Sequence, residues 1–494
     1  MSKLNRRRFL ATSFMSAAAA TLTPKNWANV VGANENIRVA TVGFRSRGGS
    51  HISGMLKQKP EGVRMVALCD VDQRVLDKGV DNLKKKGEDV KAFVDMRDLL
   101  EMKDLDCVTI ATPNHWHALA AIWAIQAGKD VYVEKPVSHN VWEGRQLVKA
   151  ARKYGRICQT GTQARSSVAI KEAVKWVHEG NLGKIKIGRG LCYKPRTDIG
   201  SLNKPVEIPS EIDFYLWSGP APEEVPDYPG TKAGALHYDW HWRWAYGNGD
   251  LGNQGIHQMD IARWFLGEDS LAPRVWSVGG RLGYKDAGET PNTQIVYQDY
   301  DAAPLIFEVR GLPESKAAQS KGWSKLMDDY KGAKIGVIIE CEGGDVRVTS
   351  SYGKAEAFDK DGKKIKEWNG SIDHFENFIN AVRSRKRSDL TADIWEGHLS
   401  SALCHTGNIS YRLGSKKNPG EIKEMIKDTR GGEETFGRMV DHLGRNEVDV
   451  TKDKLSMGVL LNMDPKVEKF IGNTDADALL TRNYREPFVV PHEV

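Results

Sequence analysis

The sequence predicts an α/β protein with an N-terminal doubly wound parallel-sheet domain and a C-terminal α+β domain whose open sheet is mostly antiparallel. Two observations predict the first domain: from residue 37 short apolar runs alternate with helical segments, and a glycine-containing turn directly follows the first run. One observation predicts the second domain: beyond residue 184 most strand-like runs are joined by turns. The 494 residues suffice for two or three domains of roughly 150 residues each.

Composition and charge exclude several classes of protein. The formal net charge is +6, but residues 1–33 hold lysines and arginines without any acid, so the body offers no basic footprint for nucleic acid. No apolar run reaches the roughly 18 residues of a membrane-spanning helix. The six cysteines are scattered without a CxxC pair, which favours buried thiols over a disulfide framework or a zinc site.

Residues 1–33 resemble a twin-arginine export signal. Arg6 and Arg7 are followed by Phe9, Leu10 and an alanine-rich stretch. The alternative is a basic tail without an export function. The resemblance implies a periplasmic or otherwise exported protein that uses the twin-arginine machinery. Because that route carries folded proteins, a cofactor would be loaded in the cytoplasm before export.

The first domain is expected over residues 34–160. Its strands are short apolar runs that suit a sheet buried on both faces, at 37–42, 63–68, 107–111, 131–133 and 157–158. Two helices are expected between the later strands, one ending at Gly128 and one ending at Gly155, since glycine suits a left-handed helix C-cap.

The turn after the first strand has the composition of a dinucleotide-binding loop. The residues expected to approach a pyrophosphate there are Gly43, Phe44, Arg45, Arg47 and Gly48. Arg45 stands where the middle glycine of the motif belongs, so either its guanidinium turns towards phosphate or the site has been lost. Asp70 ends the second strand. A carboxylate at this point accepts hydrogen bonds from the adenosine ribose hydroxyls of NAD and repels the 2′-phosphate of NADP. We therefore expect NAD rather than NADP, tightly bound.

Three further strings identify a family. Thr112, Pro113, Asn114 and His117 follow one strand, Glu134-Lys135-Pro136 follows the next, and Gly-Asn-Gln-Gly-Ile-His-Gln-Met-Asp occupies residues 252–260. Together they resemble the glucose-fructose oxidoreductase, inositol dehydrogenase and rhizopine-catabolism (Gfo/Idh/MocA) family, from about residue 37 to about residue 414. The residues that this resemblance places at the cofactor are Thr112, Pro113, Asn114, His117, Glu134 and Lys135.

The resemblance implies that Lys135 lies beside the nicotinamide and the substrate hydroxyl, and that His257 accepts the proton. Imidazole suits that task near neutral pH, and an ammonium group stabilises developing negative charge on oxygen. Asp260 is expected either to orient His257 or merely to interact with the helix dipole. Asn253 stands where the inositol dehydrogenase pattern has an aspartate, so the proton relay is not carried over whole. The alternatives are an exposed Lys135 at a strand end and a structural His257.

The second domain is expected over residues 161–414, with a C-terminal extension over 415–494. Its sheet strands are expected at 184–192, 275–282, 293–297, 305–309 and 336–340. Two helices follow, near 375–382 and 395–413, and the histidines of the second, His398 and His405, are expected to pack rather than to bind a ligand. In the extension, residues 488–491 are expected to dock on the body as a strand or an arm.

Residues 237–244 form an aromatic segment. If it is extended, Trp240, Trp242 and Trp244 project to one side, and His241 and Arg243 to the other. Such residues can hold a sugar, because indole packs on sugar C–H faces and Arg or His hydrogen-bonds hydroxyls. An equally weighted alternative is an anchor that packs the segment onto the body or onto another subunit. We expect no metal here, because a third ligand and a helix are missing.

Three functions remain open. The leading hypothesis is an exported NAD-dependent oxidoreductase that transfers hydride to or from a secondary hydroxyl of a sugar, glycoside or cyclitol. The second is a redox-assisted glycosidase or lyase, in which oxidation, elimination and re-reduction use one bound nucleotide. The third is a cofactor-bound binding protein without turnover, which Arg45 and Asn253 favour. The open sheet also predicts a homo-oligomer. The sequence does not specify the sugar, the carbon oxidised or the redox direction.

Overall fold

The computed structural model describes residues 36–323 and 325–494, so the predicted leader, residues 1–33, lies outside the described residues. The described chain is organised around two β-sheets. Within the described ranges, none of the helices combines the length and the apolar character needed to cross a membrane.

The first sheet has six parallel strands in the order β3-β2-β1-β4-β5-β6, as predicted for a doubly wound domain. The strands are β1 Ile37–Val42, β2 Val63–Cys69, β3 Lys91–Phe93, β4 Cys107–Ile110, β5 Asp130–Val133 and β6 Cys158–Thr160. The helices are α1 Arg47–Lys57, α2 Gln73–Lys84, α3 Met96–Leu100, α4 His117–Gln126 and α5 Val141–Lys153. The strand order reverses between β1 and β4, which opens a ligand-binding crevice at the carboxyl ends of the strands.

Local sequence explains the helix boundaries of this domain. Asp72 begins α2 and Asn140 begins α5, and each side chain accepts a hydrogen bond from a backbone N–H of the first turn. After α4 and α5 the chain turns at Gly128 and Gly155, whose φ angles are 79° and 58°. These are the two left-handed glycines that the sequence predicts.

The second sheet is the predicted mostly antiparallel one. Its central path runs β14-β13-β12-β11-β7-β10-β9-β8-β16-β15, with β17 joined to β8, and the described pairs are antiparallel apart from the parallel pair β7–β10. The strands are β7 Ile185–Tyr193, β8 Arg274–Gly280, β9 Thr293–Asp299, β10 Leu305–Arg310, β11 Ile335–Cys341, β12 Gly344–Thr349, β13 Lys354–Asp359, β14 Lys364–Asn369, β15 Ser415–Lys417, β16 Leu455–Met457, β17 Leu461–Asp464 and β18 Lys469–Phe470.

Helices cover both faces of this sheet. The remaining helices are α6 Val168–His178, α7 Phe214–Ser218, α8 Ile256–Leu266, α9 Lys316–Ser320, α10 His374–Ser384, α11 Ile394–Arg412, α12 Pro419–Ile426, α13 Gly432–Arg445 and α14 Thr474–Ala478. One face buries apolar residues of α6, α8 and α11. The other face, which was expected to be open, is covered by the chain's own extension: Phe436, Met439 and Leu443 pack against Trp276 and other sheet residues. The extension thus covers the part of this face that is formed by β7, β8, β9 and β10.

Chain order and spatial order differ in one respect. Helix α10 falls within the range predicted for the second domain, but its apolar face packs on the first sheet, where Phe375 stacks on Tyr132 with ring centroids 4.9 Å apart. An amphipathic pattern shows that one face of a helix is buried, but it does not show which element covers that face. The sequence therefore could not assign α10 to the first sheet. The closing arm also docks on the first domain, where Phe488 is fully buried beside Trp116.

Candidate active site

A cavity of about 620 Å³ lies at the carboxyl ends of the first sheet's strands. Residues of the second domain line one part of the cavity, and residues of the segment 208–247, called the strap here, line another. The predicted site residues that line this cleft are Gly43, Phe44, Arg45, Arg47, Asp70, Thr112, Pro113, Asn114, His117, Glu134, Lys135, Trp240, His241, Asn253 and His257. The predicted residues that do not line it are Gly48, Asp260, Trp242, Arg243 and Trp244.

The glycine turn supplies a close backbone approach. Gly43 has a φ of 73°, and a Cβ there would lie 2.9 Å from the Thr112 backbone. Gly48 is needed for the turn itself, since a Cβ on it would meet the Gly43 carbonyl oxygen at 2.1 Å. Arg45 is exposed and donates a hydrogen bond to the Ala233 carbonyl of the strap at 3.3 Å. Arg45, which replaces the middle glycine of the motif, thus connects the glycine turn to the strap.

Asp70 lies at the end of β2 with both carboxylate oxygens in use. One accepts from the backbone N–H of Phe44 at 3.0 Å and the other from that of Asp72 at 3.1 Å. Burial raises the pKa of Asp70 to about 6, although these N–H groups oppose the rise. Each carboxylate oxygen has a second lone pair, so Asp70 can still accept hydrogen bonds from ribose hydroxyls.

The floor of the cleft carries buried acceptors. Thr112 Oγ1 and Asn114 Oδ1 have no hydrogen-bond partner among the described residues. A buried polar atom without a partner is costly in an ordinary core, so such atoms along a cleft indicate a polar ligand. Together with the Gly43 approach and Asp70, they fit a dinucleotide. Along this floor the residues present therefore match the cofactor that the sequence predicts.

His117 holds the floor together. One ring nitrogen lies 2.7 Å from the Thr112 carbonyl oxygen and the other 2.5 Å from the Pro136 carbonyl oxygen. The side chain therefore joins the end of β4 to the Glu-Lys-Pro turn that follows β5. One ring nitrogen donates its proton to one of these carbonyl oxygens and the other ring nitrogen faces the second, so His117 positions the turn and both nitrogens are directed at backbone.

Glu134 is likewise engaged by protein groups. Arg47 Nε donates to its carboxylate at 2.7 Å, His51 Nε2 lies at 3.1 Å, and the backbone N–H of Lys135 donates at 3.1 Å. Burial opposes its ionisation, but the charge of Arg47 and the His51 contact outweigh burial and hold its pKa well below the usual range. Glu134 therefore anchors the turn that presents Lys135 and ties it to α1.

Lys135 reaches across the cleft to the second domain. Its ammonium donates a 2.7 Å hydrogen bond to the backbone carbonyl of Asn253. Asn253 lies in a π-helical turn, Leu251–Gly255, which leads directly into α8. Such turns are rare and recur at functional sites. Burial lowers the pKa of Lys135 to about 8, against the opposing effect of Glu134.

His257 lies one turn further, at the start of α8, and borders the same cleft. Burial, together with the charge of Lys135, lowers its pKa to about 3. The imidazole is therefore neutral near pH 7 and able to accept a proton. Its Nδ1 is buried and has no partner among the described residues. The ring of Tyr352 lies 5.5 Å away between centroids.

Asp260 does not orient His257, contrary to one of the two expectations. Its carboxylate accepts hydrogen bonds from Arg165 at 2.7 and 2.9 Å and from Ser400 at 2.5 Å. Burial opposes its ionisation, but Arg165 outweighs burial and keeps its pKa low. Arg165 lies in the 3-10 turn Gln163–Ser166 that precedes α6, Ser400 lies on α11, and Asp260 does not line the cleft. The residue is a structural ion-pair partner of Arg165.

The aromatic segment is not extended, so its predicted alternation is wrong. Residues 239–242 form a 3-10 turn, which turns Trp240 and His241 towards the cleft. Trp242 is buried among apolar strap residues and contacts the Arg196 guanidinium, 4.7 Å from its ring centroid. Arg243 pairs with Asp227 at 3.0 Å, away from the cleft.

Trp244 also lies outside the cleft and stacks with the guanidinium of Arg412, 5.3 Å from the ring centroid. The anchor interpretation therefore holds for Trp242, Arg243 and Trp244. The sequence pattern did not indicate the 3-10 turn at 239–242.

Sequence reasoning missed several residues of the cleft. The Tyr238 hydroxyl accepts a 3.4 Å hydrogen bond from the Asn253 side-chain amide. Lys194, Gln163 and Tyr352 also line the cavity. Tyr238 lies within the aromatic segment and could have been found from the sequence, whereas the other three residues lie outside any motif. Across the described ranges, His, Cys, Asp and Glu side chains form no cluster suited to a metal ion.

Comparison with known proteins places this geometry in context. A family model described as an oxidoreductase family with an NAD-binding Rossmann fold matches residues 37–162. A second, described as the C-terminal alpha/beta domain of the oxidoreductase family, matches residues 167–337.

Among curated proteins, a glycosyl hydrolase family 109 protein of Shewanella baltica is 31% identical over 211 residues, which cover 38% of this chain and 46% of the relative. An alpha-N-acetylgalactosaminidase of Shewanella oneidensis is 28% identical with the same coverage. The match thus spans about half the length of these relatives.

Among solved structures, the WlbA dehydrogenase from Bordetella pertussis, in complex with NADH and UDP-GlcNAcA, has 21% identity and a TM-score of 0.52, covering 76% of this chain and 94% of that one. A levoglucosan dehydrogenase in complex with NADH and levoglucosan has 16% identity and a TM-score of 0.56, covering 75% and 95%. At these identities the likeness shows the fold.

Proposed function

We propose, on the premise that the chain belongs to the Gfo/Idh/MocA oxidoreductase family, that it transfers a hydride between a bound NAD and a secondary hydroxyl carbon of a sugar, glycoside or cyclitol. The observation that carries this proposal is the placement of Lys135 and His257 on one cleft, at the edge of the sheet where nucleotides bind.

The residues divide the chemistry between them. The bound nicotinamide supplies the hydride acceptor or donor. The Lys135 ammonium stabilises negative charge that develops on the alcohol oxygen, and the neutral His257 imidazole takes the hydroxyl proton. Asn253 cannot accept a proton as an aspartate would. His257 therefore passes its proton to solvent rather than to a carboxylate at position 253.

The choice of NAD over NADP follows from Asp70. Its buried carboxylate accepts two backbone N–H bonds at the point where the adenosine ribose of this fold lies. A 2′-phosphate there would bring two negative groups together in a desolvated site. NAD(H) should therefore bind much more tightly than NADP(H).

The strap supports tight retention of the nucleotide. Its backbone pairs with the first domain, where the N–H of Gln73 donates to Glu211 at 2.9 Å and the N–H of Asp213 donates to Val71 at 3.0 Å. His237 reaches Asp72 at 3.2 Å, beside the contact of Arg45 with the strap. These contacts hold the strap against the first domain beside the cleft, and we propose that they slow the release of a bound nucleotide.

Retention suits the export that residues 1–33 suggest, because a protein outside the cytoplasm has no NAD supply. We therefore propose that the chain folds and loads NAD in the cytoplasm before twin-arginine export. A homo-oligomer stays a prediction.

The experiment is to purify the full chain, denature it and quantify the nucleotide released. We expect close to one NAD(H) per chain. Sugars, glycosides and cyclitols added to the intact protein should then change the absorbance of the bound nicotinamide. Protein that neither carries nor binds NAD(H) would overturn the proposal.

A second function is favoured by the names of the curated relatives, a glycosyl hydrolase family 109 protein and an alpha-N-acetylgalactosaminidase. In this redox-assisted glycosidase, the bound nucleotide would take a hydride from the sugar, elimination would expel the aglycone, water would add to the resulting double bond, and the same nucleotide would return the hydride. Chromogenic glycosides distinguish the two functions. Aglycone release without net change of the nucleotide indicates the glycosidase, and net reduction without cleavage indicates the simple oxidoreductase.

A further inference from the structure

We propose that His241 is a second catalytic base, whose Nε2 removes the proton from the carbon adjacent to the carbonyl that substrate oxidation creates. This inference rests on the proposed function and deepens it. In this scheme His257 takes the hydroxyl proton, and His241 takes the carbon-bound proton.

The hydrogen bonding of His241 determines its tautomer. Nδ1 contacts the backbone carbonyl of Tyr238, and a carbonyl oxygen only accepts. Nδ1 therefore carries the ring proton, and the lone pair is on Nε2. No group among the described residues hydrogen-bonds Nε2, and the side chain borders the cleft. A lone pair held at a cleft surface is what proton abstraction requires.

Packing fixes the direction of this lone pair. The imidazole stacks on the Trp240 ring with centroids 3.7 Å apart and planes 19° from parallel. Trp240 is itself buried in the apolar cluster of the strap. The ring thus has a fixed orientation before any ligand binds, which lowers the entropy cost of reaching the reactive geometry.

A chain of contacts connects His241 to the reacting oxygen. The Tyr238 hydroxyl accepts from the Asn253 amide at 3.4 Å, and the Asn253 carbonyl accepts from Lys135 at 2.7 Å. The turn that bears His241 is therefore tied to the residue that faces the alcohol oxygen. His241 and His257 border the same cleft, so two imidazoles are available to one substrate.

His241 is neutral at working pH. Burial lowers its pKa to about 3, and the charges of Lys135, Arg196 and Lys194 act in the same direction. The Tyr238 carbonyl opposes this shift but does not overcome it. The lone pair on Nε2 is therefore available while Lys135 is charged between about pH 3 and pH 8.

The step balances without any additional reagent. Hydride removal has already converted the secondary alcohol to a ketone, which acidifies the adjacent C–H. The proton passes to Nε2, the C–H pair forms a carbon–carbon double bond, and the carbonyl pair moves onto oxygen beside the Lys135 ammonium. Where the next carbon bears a glycosidic oxygen, the enolate pair expels it, the C–O bond breaks, and the leaving oxygen takes a proton from water.

Deuterium exchange tests this role separately from hydride transfer. The probes are the methyl 3-oxo-glucosides of both anomeric configurations, mixed in D₂O with full-length protein carrying oxidised NAD. The wild type should exchange the hydrogen next to the ketone for deuterium, measured by NMR. His241→Gln should slow exchange at least about 100-fold, while nucleotide content and hydride transfer change only a few-fold. His257→Gln should show the opposite pattern.

Chemical rescue distinguishes a catalytic role of His241 from a structural one. In His241→Ala, added imidazole should restore exchange, which a purely structural role would not allow. Exchange that is absent from the wild type, or that survives in His241→Gln, overturns the inference while leaving hydride transfer intact. Equal loss of exchange and hydride transfer in His241→Gln also overturns it. Absence of both hydride transfer and exchange in the wild type refutes the proposed function itself.

Discussion

The ammonium of Lys135 donates a 2.7 Å hydrogen bond to the backbone carbonyl of Asn253. This contact joins the Glu-Lys-Pro turn of the first domain to the π-helical turn of the second. It brings the lysine from a strand end in one domain to the helix that carries His257 in the other. The two residues to which we assign the chemistry therefore come from different domains and are brought to one cleft by this contact.

Removing the ammonium should abolish turnover without unfolding the protein. We expect Lys135→Ala to lower kcat by about 10²–10³-fold, the range for a lost electrostatic contact to a developing oxyanion. His257→Ala should have a similar effect through the lost base. Steady-state kinetics with nucleotide quantification measure both, and Lys171→Ala, an exposed lysine, serves as the control. Wild-type rates in either variant would refute the role of that residue.

The pH dependence of substrate oxidation should reflect Lys135. Its pKa of about 8 means that the ammonium is present below that pH and is lost above it, so kcat/KM should fall above about pH 8. His257, with a pKa of about 3, stays neutral and should produce no limb near pH 6.5. Lys135→Arg should retain part of the activity and lose the upper limb. Activity that rises through pH 8 would contradict this assignment.

Nucleotide affinity should depend on the ionisation of Asp70. Its pKa of about 6 means that the carboxylate takes up a proton as the pH falls through that value, and a protonated group accepts ribose hydroxyls less well. NAD binding, measured by calorimetry on stripped protein, should weaken below pH 6 and be flat above it. Asp70→Asn should remove this dependence and reduce the preference over NADP. A pH-independent affinity in the wild type would argue against the contact.

The strap contacts should slow nucleotide release. We expect the double variant Arg45→Ala, His237→Ala to release bound NAD(H) at least about tenfold faster, because a contact of a guanidinium with the strap and a contact of the strap with the Asp72 carboxylate are lost. Nicotinamide fluorescence after dilution into excess competing nucleotide measures this rate. Arg387→Ala, at an exposed arginine far from the strap, should leave the rate unchanged. An unchanged rate in the double variant would show that the strap does not retain the nucleotide.

The closing arm should contribute strongly to stability. Phe488 is fully buried beside Trp116 and Trp123. Phe488→Ala should lower the free energy of unfolding by about 3–5 kcal/mol, as for other buried aromatic truncations. Val467→Ala, on a side chain 62% exposed, should change it by less than about 0.5 kcal/mol. Denaturant unfolding compares the two, and equal effects would show that the arm is not part of the cooperative core.

Local signals predicted the fold well where one element dictates its own structure. The apolar runs at 37–42 and 63–68 correspond to β1 and β2, and Gly128 and Gly155 end the helices as expected. The partner of a buried face is not a local property. This is why α10 was assigned to the second domain and why the covered outer face of the second sheet was expected to be open.

For the cleft residues too, the sequence indicates local structure but not contacts between distant segments. Motif residues such as Lys135 follow strand ends and were readily found. Lys194 and Tyr352 reach the cleft only because distant strands meet there, so no spacing signals them. Asp260 illustrates the reverse case, since its helical spacing to His257 suggested a pair and Arg165 proved to be its partner.

The central claim is that a nicotinamide bound in this cleft would exchange hydride with a carbohydrate alcohol whose oxygen is served by Lys135 and His257. The most direct measurement is the absorbance of reduced nicotinamide in purified, nucleotide-loaded protein during a single turnover with a panel of sugars and their 3-oxo derivatives. We expect an absorbance change equivalent to the bound nucleotide with at least one substrate. In an equally loaded Lys135→Ala variant the change should be at least about 100-fold slower. A loaded wild type that responds to none of them, or an equal response in Lys135→Ala, would contradict it.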